Sequence, residues 1–180
     1  MRSLSALLAM ALGMAIWPLA LGANVERTPS EYEVKAVFIY NLAKFVEWPP
    51  TNSGKVRLCL LGADPFGDAL VPLDNRSVGD KRFISQRIGL KSDAELKGCD
   101  ILFVARSEQE RLNSLLQTVK GLPILTVGDT DGYARQGVMV NFYLDKDKVR
   151  FEINPRATQQ AGLKLSAKLL RVGRLLGTSE

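Results

Sequence analysis

Apolar residues in this chain gather into runs, and the runs come in two lengths. Val37 to Trp48 is long enough for several helical turns and carries only Lys44 and Glu47 as charges. The overlapping boxes Thr28-Pro29-Ser30-Glu31 and Ser30-Glu31-Tyr32-Glu33 mark the start of that helix, and Pro49-Pro50 excludes Trp48 from it. Shorter runs follow. Val56 to Leu61, Ile101 to Val104 and Pro123 to Val127 read as buried strands, and Phe83 to Ile88 as a strand with partial alternation. Between them, Asp64-Pro65 opens a short helix through Leu70, and Ser92 to Leu96 forms a turn or short helix. Ser107 to Val119 carries a helical stripe at Leu112, Leu115, Leu116 and Val119. Gly137 to Leu144 and Val149 to Ile153 form a hairpin about an Asp/Lys turn. A last helix runs from its cap Asn154, with Pro155 at its first position, to about Leu176.

Strands that are mostly apolar runs and alternate with helices predict an α/β fold. The expectation is one domain: a mixed, mostly parallel sheet covered by helices on both faces, with a C-terminal hairpin and a long closing helix. No linker, repeat or low-complexity tract divides residues 24–180.

The N-terminus sets the compartment. Arg2 is followed by an apolar stretch from Leu4 to Leu21 broken only by Ser5, and then by the small residues Gly22 and Ala23. That is the layout of a secretory signal peptide. The stretch could nearly span a bilayer, but Pro18 and the absence of a flanking basic cluster argue for cleavage over anchoring. Residues 1–23 are therefore read as a removed signal peptide and the protein as periplasmic. The net charge of +5 falls by one when Arg2 leaves, too weak a bias to indicate a nucleic-acid partner.

Export changes the meaning of the two cysteines, Cys59 and Cys99. In an oxidising compartment an even count favours a disulfide over two separate buried thiols. Each lies in or beside a predicted strand. The chain has no histidine, which removes histidine-based triads, bases and metal ligands. Asp129 and Asp131 in VGDTDGY do not meet the calcium-loop pattern and read as turn residues. No catalytic residues, metal site or cofactor are expected.

On a continuous closing helix, Leu165, Leu169, Val172 and Leu176 share one face, while Leu163, Ala167 and Leu170 lie almost opposite. The second apolar stripe predicts that the helix is covered on two sides, by the same chain or by another subunit. Leu163 and Leu170 are thus candidate subunit contacts. Lys164, Lys168 and Arg171 form a basic stripe that could meet an acidic partner.

The segment VKAVFIYNLAKFVEWP resembles the opening helix of the YfiR-like family of bacterial periplasmic regulators, and VRFEINPRATQQAGLKLSAKLLRVGRLL resembles its closing strand and helix. Family members carry a cysteine pair at positions that match Cys59 and Cys99. The resemblance implies a homodimeric, non-enzymatic repressor of an inner-membrane diguanylate cyclase, relieved by an outer-membrane lipoprotein. The alternative is a periplasmic small-molecule sensor feeding another membrane signalling protein. Its ligand crevice would lie at the carboxyl ends of the strands, where Asp64, Arg106, Asp129 and Asp131 fall.

Overall fold

The computed structural model describes residues 28–50, 53–89 and 93–177. The signal peptide expected at 1–23 lies outside them. The chain begins with α1 (Glu31–Phe45), β1 (Val46–Glu47), β2 (Lys55–Leu61), a 3-10 helix (Gly67–Leu73), β3 (Ser77–Val78) and β4 (Lys81–Ile88). It continues through α2 (Asp93–Leu96), β5 (Ile101–Val104), a second 3-10 helix (Arg106–Arg111), α3 (Leu112–Thr118) and β6 (Leu125–Gly128). Then come α4 (Tyr133–Gln136), β7 (Val140–Asp145), β8 (Lys148–Ile153), α5 (Pro155–Gln160), β9 (Lys164–Leu165), α6 (Ala167–Val172) and β10 (Arg174–Leu175).

The apolar runs become strands because both faces of the sheet are covered. Val56, Leu58 and Leu60 of β2 enter one core with Ile101 and Phe103 of β5, while Cys59, Leu61, Leu102 and Val104 enter the other. Successive side chains of a strand point to opposite faces, so a strand buried on both sides needs an unbroken apolar run. The first core is roofed by α1, with Ala36, Ile39, Leu42 and Ala43 turned inward. The second contains Leu96 of α2, Leu112 and Leu115 of α3, and Tyr133 of α4.

The main sheet has eight strands in the order β10-β8-β7-β6-β5-β2-β4-β3. Its centre, β4-β2-β5-β6-β7, is parallel throughout. The β7–β8 hairpin is antiparallel, as is β3 on β4, so the sheet is mixed and mostly parallel. The order of the parallel strands reverses at β2 and β5, the type of point where open α/β sheets form a crevice.

Cys59 and Cys99 are joined by a disulfide with Cα atoms 5.8 Å apart. Cys59 lies on β2, and Cys99 is two residues before β5, its parallel neighbour. The bridge therefore fixes one side of the point where the strand order reverses.

The closing segment departs from expectation: there is no single helix from Pro155 to Leu176. Asn154 caps α5, its side chain accepting the Ala157 N–H at 3.0 Å. Gly162, at φ 69°, then ends that helix. The Gly162 N–H donates to Gln159 O at 3.0 Å and the Leu163 N–H to Thr158 O at 3.1 Å, the paired bonds of a glycine-terminated helix. Leu165 and Lys164 pair antiparallel with Val46 and Glu47 of β1. Ser166 caps a new helix, α6, by accepting the Leu169 N–H. The first helix also stops earlier than its apolar run, because Val46 and Glu47 are extended to make this pairing.

Candidate functional site

The crevice at the reversal of strand order is filled by the chain itself. Gly62 ends β2 so close to the next loop that a Cβ there would stand 2.4 Å from Ser107 Oγ. Ser107 Oγ accepts the Ala63 N–H at 2.8 Å, and Phe66 packs edge-on against Phe103 at 4.8 Å. Open space lies to one side, between the start of α1 and the loops after β5 and β6.

That space is a polar cleft of about 450 Å³ lined by Glu31, Tyr32 and Lys35 of α1, Arg106 and Gln109, and Asp129 to Asp131. Lys35 is almost wholly buried. Its Nζ donates to Asp129 Oδ2 at 2.8 Å, pairs with Glu31 one turn earlier, and sits 4.4 Å from the Tyr32 ring centroid. The Tyr32 hydroxyl donates to the same Asp129 oxygen at 2.9 Å. Burial lowers the affinity of Lys35 for its proton, but the hydrogen bonds to Asp129 and Glu31 together outweigh it, and its pKa stands above the ordinary 10.5. Burial and the bond to Asp129 raise Tyr32 above 10.0. Asp129 is thus the anchor of α1 on the end of β6. Arg106 and Asp131 are exposed at the mouth.

Of the four crevice residues expected from sequence, Arg106, Asp129 and Asp131 line this one cleft. Asp64 does not. It accepts the Phe66 N–H at 2.8 Å and binds Arg87 Nε at 2.6 Å, which makes it a turn residue tied to β4. Sequence reading missed Lys35 and Tyr32. The available signal was the Glu31–Lys35 spacing, which places opposite charges one turn apart. Among the described residues, no cluster of three or more His, Cys, Asp or Glu could hold a metal ion.

The subunit contacts expected on the closing helix need correction. Leu163 is 5% exposed and belongs to the same core as Leu169. With the helix broken at Gly162, these two residues are not on opposite faces of anything. Leu170 also packs partly against that core. Lys164, Lys168 and Arg171 are all exposed, but Lys164 stands opposite Glu47 in the short ladder, where opposite charges attract. Lys168 Nζ lies 5.1 Å from the Phe45 ring centroid.

The unexpected feature is the outer side of α1. Large exposed apolar residues lie along it: Val37 at 49%, Leu144 at 52% and Val172 at 64% exposure. Three grooves of about 630, 560 and 300 Å³ flank the helix, against the first 3-10 helix, the β7–β8 hairpin and α6 respectively. Phe38 lines all three. Its ring lies 5.6 Å from that of Phe151 and 6.0 Å from that of Phe142, so the floor of this face is part of the core. Contiguous apolar surface of this kind marks a contact site.

No curated protein matches the sequence. Among solved structures, the chain is similar in fold to a conserved domain protein from Vibrio cholerae O1 biovar El Tor strain N16961. That similarity has 11% identity and a TM-score of 0.50, covering 81% of this chain and 60% of that one. The ABC domain from Streptococcus pneumonia, crystallised in complex with L-Trp, aligns at 9% identity and a TM-score of 0.49, covering 67% of this chain and 55% of that one. The chain thus spans less than two thirds of either protein, and the first likeness concerns the fold alone. A model of the YfiR/HmsC-like family matches residues 32–174. With that match spanning most of its length, the chain belongs to the YfiR/HmsC-like family.

Proposed function

We propose that this protein is a non-enzymatic periplasmic repressor of an inner-membrane diguanylate cyclase, acting by protein–protein contact on cyclic di-GMP signalling and biofilm formation. Residues 1–23 are its cleaved signal peptide, and residues 24–180 the acting domain. Homodimerisation, and relief of repression by an outer-membrane lipoprotein, complete the proposal.

The observation that carries it is the apolar face of α1, with Val37, Leu144 and Val172 exposed along it. Lys168 lines the groove at its C-terminal end, Lys44 lies in the last turn of α1 and Arg171 is exposed on α6, so the periplasmic part of the cyclase would present an apolar segment with an acidic flank. Charge of this kind sets encounter rate and orientation, while the apolar contact holds the complex. Deletion of the gene should raise cyclic di-GMP and surface attachment. Unchanged cyclic di-GMP on deletion would remove the cyclase as target.

A second reading has its own support. The cleft beside Lys35 brings Arg106 and Asp131, of opposite charge, to one mouth at the carboxyl ends of parallel strands, the usual ligand position in open α/β sheets. On that reading the domain senses a small molecule and feeds another membrane signalling protein.

A further inference from the structure

A separate cavity of about 390 Å³ lies where α3, α4 and α5 meet, and it shares no lining residue with the α1 grooves or the Lys35 cleft. Its charged residues are all cations: Lys120, Arg135 and Arg156. Four amides, Gln117, Gln136, Asn154 and Gln160, and the Thr126 hydroxyl complete its polar wall, and among the described residues no carboxylate lines it. No ion pair found among the described residues includes any of the three cations. The Lys35 cleft, by contrast, mixes signs, and its buried lysine is neutralised by two carboxylates.

Local structure accounts for two of these cations but not for the third. Lys120 follows the end of α3, and Arg135 lies in the last turn of α4, where helix carbonyls favour a cation. Arg156 is the second residue of α5, in its first turn, where a cation is disfavoured. The fold therefore holds three like charges around one concavity, one of them against its local preference. Such an arrangement is relieved by an anion.

We infer that this cavity binds a phosphate-bearing organic anion. Two guanidinium forks and an ammonium suit the several oxygens of a phosphate better than one carboxylate, since each fork pairs with two acceptors. The volume falls in the range of small-ligand pockets, about 300–1,000 Å³, and leaves room for an organic group beside the phosphate. The phosphate is carried either by a soluble ester or by the headgroup of an anionic lipid. The glutamine amides supply neutral hydrogen bonds to the ester or polyol part.

The test uses the purified protein with two probes. In the first arm, glycerol 3-phosphate is titrated calorimetrically against a sodium chloride baseline of equal ionic strength. In the second, the protein is sedimented with phosphatidylglycerol-containing vesicles and with pure phosphatidylcholine vesicles. Binding of glycerol 3-phosphate identifies a soluble ester as sufficient; binding only to the anionic vesicles identifies the headgroup. In either case R135Q and R156Q should each weaken binding roughly tenfold, the loss of one charge-assisted hydrogen-bonding group. R76Q, which removes the same charge outside the cavity, beside β3 at the far edge of the sheet, should leave it unchanged. All three side chains are exposed, so the variants should fold, which circular dichroism checks. Failure of both probes to bind overturns the inference. So does binding that R135Q and R156Q leave intact, or that R76Q weakens equally.

Discussion

Lys35 and Asp129, separated by 94 residues, meet at 2.8 Å in a nearly dry site and tie the first helix to the end of a central strand. Removing one member of such a pair strands the other charge, at a cost of about 3–5 kcal/mol. Asp129 would keep the Tyr32 hydroxyl, so Lys35→Met should cost about 3 kcal/mol, the lower end of that range. The double variant Lys35→Met/Asp129→Leu should be more stable than Lys35→Met alone. Urea denaturation of both measures it; a double variant less stable than the single would show that the network does more than balance charge.

The same network gives alkaline sensitivity. Lys35 and Tyr32 both hold their protons more tightly folded than their ordinary values of 10.5 and 10.0. A raised folded pKa means that the contribution is complete below the unfolded value and is lost as pH rises through the folded one. Stability should therefore be insensitive to these groups at neutral pH and fall above about pH 10. Thermal unfolding across the alkaline range, compared with Lys35→Met, should show a shallower decline in the variant.

The Cys59–Cys99 bridge closes a sequence separation of 40 residues, and its loss should cost about 2–5 kcal/mol. Cys59→Ser/Cys99→Ser would also put two hydroxyls in buried positions. Alkylation of the exported protein without reduction, followed by mass spectrometry, should leave both cysteines unmodified.

The inner strands were legible in the sequence because double burial writes them as apolar runs, unbroken in Ile101–Val104 and broken only by Arg57 in Val56–Leu61. The hairpin was legible from its Asp/Lys turn. The closing segment was not, although its punctuation was present. Gly162 and Ser166 fit between the stripes of a continuous helix, yet Gly162 terminates one helix and Ser166 caps the next. What overrode helical periodicity was tertiary: Leu165 and Lys164 pair with β1. The cleft was half legible, because loop order placed Arg106, Asp129 and Asp131 at the carboxyl ends of strands. Lys35 reaches them only because α1 crosses the sheet, which no local pattern reports.

Leu163 illustrates the consequence. It is a core residue, so Leu163→Ala should destabilise the protein by about 2–5 kcal/mol. Its oligomeric state by sedimentation should not change. A folded variant with an altered sedimentation coefficient would return Leu163 to a subunit contact.

Gly173 is held small by its neighbours rather than by its backbone. A Cβ there would stand 2.6 Å from Phe151 Cε2 and 2.7 Å from Ile153 Cδ1, both on buried side chains. Gly173→Ala should cost about 1–3 kcal/mol, the usual penalty of overpacking, measured as a lower denaturation midpoint. An unchanged midpoint would mean that β10 can lift from β8 freely.

The α1 face offers the sharpest separation between contact and fold. Val37 is 49% exposed on the helix exterior, so Val37→Asp should leave stability within about 0.5 kcal/mol, as surface substitutions do. If this face holds the membrane partner, the variant should nonetheless lose repression, with cyclic di-GMP rising toward the deletion level. Lys168→Glu with Arg171→Glu acts on the rim instead. It should slow association, weaken repression partially, and reduce the salt sensitivity of the complex in vitro. The two variants thus differ in kind, one raising the dissociation rate and the other lowering the association rate. Full repression by an exported, folded Val37→Asp protein would remove α1 from the contact. The Lys35 cleft would then be the surface to probe next, by the same assay with Arg106→Gln.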